Sequence, residues 1–278
     1  MESGIAGTTM TFNATRRQDD WNNFVTAIPE CQGADPNNTF DCLSRDDLNT
    51  THLIQAISSS LNQADEQFPF VPTFDGPDGL VPELPFETLK EGCFSKIPFI
   101  AGNVLDEGTL FSLPVNTTNE EALRRALISN FTLSPGSSTP DLDDAVDTIL
   151  KLYPDIPALG SPFNTGNETF GLSTTYKRLS AIYTDMMFHF PRRSWTRTLV
   201  QAGIKAYSYQ LSYPELNPLP PLGVVHSSDI NYLFGFASLP PSFIPSPSAA
   251  QVSEQIIDYW VSFATSLDPN DGLGSDPT

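Results

Sequence analysis

The sequence predicts an α/β fold, in which parallel strands are connected by helices. The first indication is the apolar run 99–101, which stops at a glycine and is followed by two consecutive acids, Asp106 and Glu107. Such a run is typical of a buried parallel strand, and ligands of these folds bind where the strands end. A Tyr-rich alternating segment, 205–213, predicts a second strand.

Apolar residues recur at helical spacing along most of the remaining chain. This pattern predicts helices at 21–31, 43–61, 83–91, 119–131, 141–153, 176–190, 191–201 and 251–267. Prolines and glycines in 68–86 forbid a regular helix and predict an ordered, extended loop. Two strands are too few for a self-standing sheet, so we expect further strands to lie outside these residues.

Composition and charge exclude several classes of partner. The 278 residues carry 33 acids against 14 bases, a net charge of −19. Polyanions would repel such a chain, which argues against nucleic acid and anionic membranes as partners. No apolar stretch reaches the roughly 18 residues that a membrane span requires.

Asparagine sequons favour an extracellular location. The first seven residues lack the basic and apolar regions of a signal peptide. Six Asn-x-Ser/Thr sequons nevertheless indicate a secreted glycoprotein. They lie at Asn13, Asn37, Asn49, Asn116, Asn130 and Asn167. Because a secreted protein needs a signal sequence, we expect that the chain lacks its beginning.

The three cysteines suggest structural roles. Cys31 and Cys42 flank a turn-rich segment that a disulfide could close, and Cys93 is expected to be a buried free thiol. The chain contains no Cys-x-x-Cys or His-Glu-x-x-His motif, and its histidines show no metal-ligand spacing. We therefore expect no metal and no cofactor.

One of the three histidines is a candidate general base. His226 follows two valines and precedes a polar Ser-Ser-Asp, which indicates a loop beside buried structure. A single histidine is more often structural than catalytic, although histidine is the commonest general base at neutral pH. His52 and His189 lie in predicted helices and are expected to have ordinary roles.

Glu107 and His226 together are more informative than either residue alone. A carboxylate at a strand end, followed 119 residues later by a loop histidine, is the order of acid and base in an α/β-hydrolase triad. No Gly-x-Ser-x-Gly nucleophile motif and no glycine-rich oxyanion segment occur in the chain, and in that fold both precede the acid. We therefore expect an incomplete α/β-hydrolase fold.

The acid motif resembles that of a known family. Residues 102–111 look like the acid motif of the type-B carboxylesterases, which include cholinesterases and fungal lipases. Five further segments resemble the family in the same order along nearly the whole chain. They are 1–4, 31–43, 74–82 together with Pro98, 223–235 and 259–270.

The resemblance implies a role for each of these motifs. Residues 1–278 would be the C-terminal part of a carboxylesterase domain with helical insertions, its nucleophile and oxyanion hole preceding Met1. Glu107 would be the triad acid and His226 the base, with Asp106 a neighbour without a catalytic role. Ser3 and Asp229 would lie near the base, and Cys31–Cys42 would form a disulfide. The substrate of the full-length enzyme would be a small-molecule or lipid ester.

Other functions remain open from the sequence alone. Without a nucleophile, the chain is expected to show no esterase turnover by itself, and exposed apolar sheet edges would favour aggregation or partial folding. A secreted, non-catalytic binding or adhesion module related to the cholinesterases is one alternative. A glycosidase that uses Asp106 and Glu107 as paired acids is another, although adjacent residues on an extended chain point to opposite faces.

Overall fold

The computed structural model describes residues 2–64, 67–113, 119–131, 140–213, 219–235 and 246–272. The chain forms two compact units. One comprises Thr9–Pro85 and Leu127–Thr139, and we call it the disulfide unit. The other comprises Met1–Thr8, Phe86–Ala126 and Pro140–Thr278, and we call it the sheet unit.

The disulfide unit is a small helical cluster. Its elements are β1 (Phe12–Asn13), α1 (Ala14–Thr26), a 3₁₀ turn (Pro29–Cys31), α2 (Thr39–Leu43), α3 (Thr50–Gln63) and β2 (Thr73–Phe74). The strands β1 and β2 pair in parallel. The buried core around which the helices pack is formed by Val25, Ile28, Cys31, Cys42 and Ala56.

Side-chain caps determine where the helices of this unit begin. Asn13 accepts a hydrogen bond from the amide of Arg16, so α1 begins seven residues before the predicted position 21. Asn49 caps α3 through the amide of Thr51. The predicted single helix 43–61 is therefore wrong, because the chain turns before Asn49 and a new helix starts after it.

The three cysteines behave differently from one another. Cys31 and Cys42 form a disulfide with a Cα–Cα distance of 5.7 Å, which confirms the expected pairing. The expectation that Cys93 is buried is wrong, because its thiol is free and exposed. Cys93 lies in the turn that ends the short helix before it, where its side chain faces solvent.

The sheet unit contains the predicted strands and most of the helices. Its described elements are α4 (Pro85–Lys90), β3 (Phe99–Val104), α5 (Gly108–Ser112), the first part of α6 (Glu120–Phe131, whose residues from Leu127 belong to the disulfide unit), α7 (Pro140–Leu152), α8 (Thr174–Tyr183), a π-helical segment (Thr184–His189), α9 (Phe190–Gln201), β4 (Ala206–Leu211), α10 (Ser228–Leu233) and α11 (Pro247–Ser266). Short 3₁₀ turns lie at Pro157–Leu159 and Pro220–Leu222. Among these residues no helix is both long and apolar enough to cross a membrane.

The strands β3 and β4 form the centre of this unit. They pair in parallel, with Phe99 opposite Ala206 and Val104 opposite Leu211. All six residues of β3 are buried, as the apolar run predicted. At the other edge of β3, the amide of Ser3 donates to the carbonyl of Gly102 at 2.9 Å. The beginning of the chain therefore lies directly beside the strand that leads to the acids.

Helix α8 differs from the predicted regular helix 176–190. It is buried along nearly its whole length, and after Tyr183 it widens into the π-helical segment before α9 continues. Pro191 lies in the first turn of α9, where its missing N–H is tolerated. Single π-helical turns within α-helices occur frequently at functional sites, and this one packs against the acid motif.

Candidate active site

The two acids after β3 point to different parts of the sheet unit. The strand ends at Val104, and the chain then turns so that α5 begins at Gly108. A side chain on Gly108 would come within 2.3 Å of the carbonyl oxygen of Ser180 in α8. The glycine therefore allows α5 and α8 to approach closely, and this approach buries the acid motif between them.

Glu107 is completely buried and contacts three donors. Its Oε2 lies 2.6 Å from Nδ1 of His226, a residue 119 positions further along the chain. Its Oε1 accepts the hydroxyl of Ser3 at 2.6 Å and the amide of Val104 at 2.8 Å. Both carboxylate oxygens are thus hydrogen-bonded, which a buried acid requires.

His226 is held by Glu107 and by two aromatic rings. Its side chain is 23% exposed, and Ser227 after it adopts a left-handed conformation with φ of 71°. The rings of Phe111 and Phe188 lie 5.0 and 5.1 Å from the imidazole and stack on each other at 5.5 Å. A carboxylate is an acceptor, so the Glu107 contact assigns the proton to Nδ1 and leaves Nε2 able to accept one.

Asp106 is also buried but does not contact His226. Its Oδ1 accepts the hydroxyl of Ser161 and the amide of Phe163, and its Oδ2 accepts the amide of Val224. Burial raises the pKa of Asp106 above its usual value, and these hydrogen bonds oppose that shift. Both oxygens are therefore occupied by protein donors.

The two residues expected near the base have different partners. Ser3 reaches His226 through Glu107, whereas Asp229 Oδ2 accepts the hydroxyl of Tyr209 at 3.0 Å. Burial raises the pKa of Asp229, and the negative charge of Glu107 raises it further. The hydrogen bond from Tyr209 lowers this pKa and so opposes the shift. The charge of Glu107 therefore disfavours ionisation of Asp229.

The π-helical segment supplies contacts that the sequence did not predict. The hydroxyl of Thr184 accepts the amide of Gly108 at 2.8 Å, and Nε2 of His189 lies 3.0 Å from the carbonyl oxygen of Val104. His189 was expected to be an ordinary helical residue. The only sequence signal here was the apolar helix itself, because a π-helical turn has no recognisable local motif.

The other predicted sites lie away from this cluster. His52 contacts Glu30 in the disulfide unit. No group of three or more His, Cys, Asp or Glu residues suited to a metal ion occurs among the described residues. Of the sequon asparagines, Asn116 lies outside the described residues. Asn13, Asn37, Asn49 and Asn167 are exposed, and Asn130 is partly buried.

Comparisons with known proteins show to which family the chain belongs. A sequence profile described as the carboxylesterase family matches residues 1–277. Lipase 2 of Geotrichum candidum is 30% identical over 245 residues, which are 86% of this chain and 39% of the lipase. Secreted lipase 1 of Botryotinia fuckeliana is 29% identical over 257 residues, which are 90% of this chain and 40% of that protein.

A solved structure gives the same assignment at the level of the fold. A PNB esterase matches 100% of this chain and 50% of its own, with a TM-score of 0.66 and 19% sequence identity. This similarity shows the α/β-hydrolase fold. The chain spans about two fifths of the length of the curated relatives named above. With a family profile that matches nearly every residue, the chain belongs to the carboxylesterase family.

Proposed function

We propose that this chain carries the acid and the base of a Ser-Glu-His triad that hydrolyses carboxylic esters. The observation that supports the proposal is the 2.6 Å contact between Glu107 Oε2 and His226 Nδ1, made by a carboxylate that is 0% exposed. Glu107 is the acid that orients the imidazole, and His226 is the general base.

The mechanism assigns a separate task to each ring nitrogen of His226. Nε2 takes the proton of the serine hydroxyl as the oxygen attacks the ester carbonyl, and then donates it to the departing alcohol. In the second half of the reaction, Nε2 takes a proton from the water that attacks the acyl-serine and returns it to the serine oxygen as the acid departs. Glu107 holds the Nδ1 proton throughout and stabilises the positive charge that develops on the ring.

This mechanism also needs a serine nucleophile and an oxyanion hole. The 278 residues contain no Gly-x-Ser-x-Gly motif and no glycine-rich oxyanion segment. Loss of a triad nucleophile costs a factor of about a million in turnover, and lack of the oxyanion donors adds to that loss. We therefore expect the 278-residue chain to show no esterase turnover by itself.

The substrate class and location follow from the relatives and the sequons. Two relatives are lipases, and the name of one describes it as secreted. We propose a small-molecule or lipid ester as the substrate and an extracellular, glycosylated protein, with no nucleic acid partner for a chain of charge −19. Exposed Asn167 lies in a turn that is anchored by the buried Lys177, and it is a suitable glycan acceptor.

Two other functions were open from the sequence. A glycosidase with paired acids is disfavoured because both oxygens of Asp106 accept hydrogen bonds from the protein. A secreted, non-catalytic binding module remains the second candidate, because the chain lacks a nucleophile motif. Its acid and histidine would then be structural.

The decisive experiment begins with the transcript that encodes this chain. An in-frame Gly-x-Ser-x-Gly segment ahead of residue 1 would favour the esterase, and its absence would favour the binding module. Hydrolysis of a nitrophenyl ester is then measured for the encoded product and for three variants of it, Glu107→Gln, His226→Ala and His52→Ala. We expect Glu107→Gln and His226→Ala to be inactive and His52→Ala to be fully active. Full activity of His226→Ala would refute the proposal.

A further inference from the structure

Asp106 connects the acid motif to the segment that carries His226. Its side chain is 1% exposed, and its Oδ2 accepts the amide of Val224 at 2.9 Å. Its Oδ1 accepts the hydroxyl of Ser161 at 2.7 Å and the amide of Phe163 at 2.8 Å. One carboxylate therefore joins two loops to the turn after β3.

Backbone contacts strengthen the same connection. The amide of Asp106 donates to the carbonyl of Val224 at 3.0 Å, and the hydroxyl of Thr109 donates to the carbonyl of Leu222 at 2.8 Å. Between them, Gly223 has φ of 58°, and a Cβ at this position would lie 2.4 Å from Asp106 Oδ2. Residues 222–224 are thus held in close contact with the acid turn, two positions before His226.

We propose that Asp106 is a positioning residue for His226. This inference rests on the proposed function. Asp106 holds the backbone of the histidine loop, while Glu107, the next residue, holds the imidazole ring. Because the two acids are consecutive, the loop and the triad acid share one rigid support. A 2.6 Å hydrogen bond weakens steeply with distance and angle, so a small displacement of residues 222–225 would disrupt the contact between Glu107 and His226.

The inference is tested with Asp106→Asn in the encoded product of the transcript. Whichever way the asparagine amide is turned, its NH₂ group faces a backbone N–H, either that of Phe163 or that of Val224. Two donors then oppose each other in a buried position. We expect faster amide hydrogen exchange at Phe163 or at residues 224–226, according to which backbone N–H loses its acceptor, on the order of tenfold, which corresponds to the loss of one hydrogen bond.

The second measurement reports on His226 directly. In wild type, the Nδ1 proton shared with Glu107 should give a downfield NMR signal, identified by its absence in His226→Gln. We expect Asp106→Asn to broaden or remove this signal. Gly223→Ala should do the same without changing the carboxylate, because its new methyl group collides with Asp106 Oδ2. This second variant keeps the inference testable if Asp106→Asn does not fold.

Two controls separate positioning from general destabilisation. Leu199→Ala creates a cavity in the cluster around Phe99 at the start of β3, and it should leave both readouts unchanged below its melting temperature. Glu107→Gln should remove the downfield signal. It should leave hydrogen exchange at the Val224 amide slow, because the side chain of residue 107 does not contact that amide.

The possible results distinguish the two proposals. Wild-type exchange rates and a wild-type His226 signal in both Asp106→Asn and Gly223→Ala would overturn the positioning role. A wild-type protein without any downfield signal would instead count against the Glu107–His226 pair and thus against the proposed function. In that case the exchange rates of residues 224–226 still decide whether Asp106 holds the loop.

Discussion

Among the described residues, two histidine–carboxylate pairs have nearly equal length, one in each unit. His226 Nδ1 lies 2.6 Å from Glu107 in the sheet unit, and His52 Nδ1 lies 2.7 Å from Glu30 in the disulfide unit. Their exposure differs sharply. The Glu107 side chain is 0% exposed, whereas those of Glu30 and His52 are 21% and 34% exposed. Distance alone therefore does not identify the catalytic candidate.

The surroundings of the two carboxylates explain the difference. Glu107 has further donors in Ser3 and the amide of Val104, and water does not reach it. Glu30 lies at the surface, where its pKa is lowered first by a hydrogen bond from its own backbone and then by His52. A buried carboxylate whose oxygens are both hydrogen-bonded keeps its histidine in one tautomer. In a partly exposed pair, water competes for the same hydrogen bonds.

Of the four substitutions, Glu107→Gln should have the largest effect, which is on the tautomer of His226 and on ester hydrolysis. The amide NH₂ would face Nδ1 of His226, so the proton would move to Nε2, which could then no longer accept the serine proton. An active enzyme with this pair should lose ester hydrolysis by a factor of about 10⁴. Nitrogen-15 NMR of the chain would show the tautomer switch. A His226 that keeps its Nδ1 proton would contradict the argument, and Glu30→Gln is the matched control that leaves His226 unchanged.

Ser3→Ala should have the next largest effect, which is a decrease in the free energy of unfolding. The substitution removes one of the hydrogen bonds to a buried carboxylate, which costs about 2 kcal/mol in the free energy of unfolding. Urea denaturation measures this change. Ser44→Ala is the control, because the hydroxyl of Ser44 is exposed and bonds only a helix carbonyl. Equal effects for the two variants would show that burial of Glu107 adds nothing.

Asp229→Asn should change how stability depends on pH. Burial raises the folded-state pKa of Asp229 above the unfolded value of 3.8. The stability from this group is therefore fully present below pH 3.8 and is lost as pH rises through the folded pKa. The asparagine variant lacks this loss, so its stability relative to wild type should rise with pH. Urea titrations from about pH 3 to about pH 7 measure the difference, and a constant difference would contradict the prediction.

His52→Ala should have the smallest effect of the four. Its partner Glu30 is partly exposed and keeps the hydrogen bond from its own backbone after the substitution, and salt screens such a pair. Thermal unfolding at low and high salt should show little change. A loss as large as that of Ser3→Ala would mean that burial is not what separates the two pairs.

The sequence by itself determined most of the local structure and the identity of both candidate residues. Apolar periodicity placed the helices near 119–131, 141–153 and 251–267 because such patterns depend on neighbours a few positions apart. Glu107 was recognisable because it follows a buried strand, and His226 because it stands in a loop after two valines. The spacing of Cys31 and Cys42 was sufficient to suggest their disulfide.

Only the tertiary structure decided which groups share a site. The hydrogen bond between Ser3 and Glu107 joins residues 104 positions apart, and the bond between Asp106 and Val224 joins residues 118 apart. No local pattern encodes such pairs. The residues around the two acids do not separate their roles, yet the carboxylate of Asp106 accepts the amide of Val224 and that of Glu107 contacts His226. The physical reason is that a buried carboxylate oxygen without a donor costs free energy, and the packing of the strands, α8 and the histidine loop determines which donors are near.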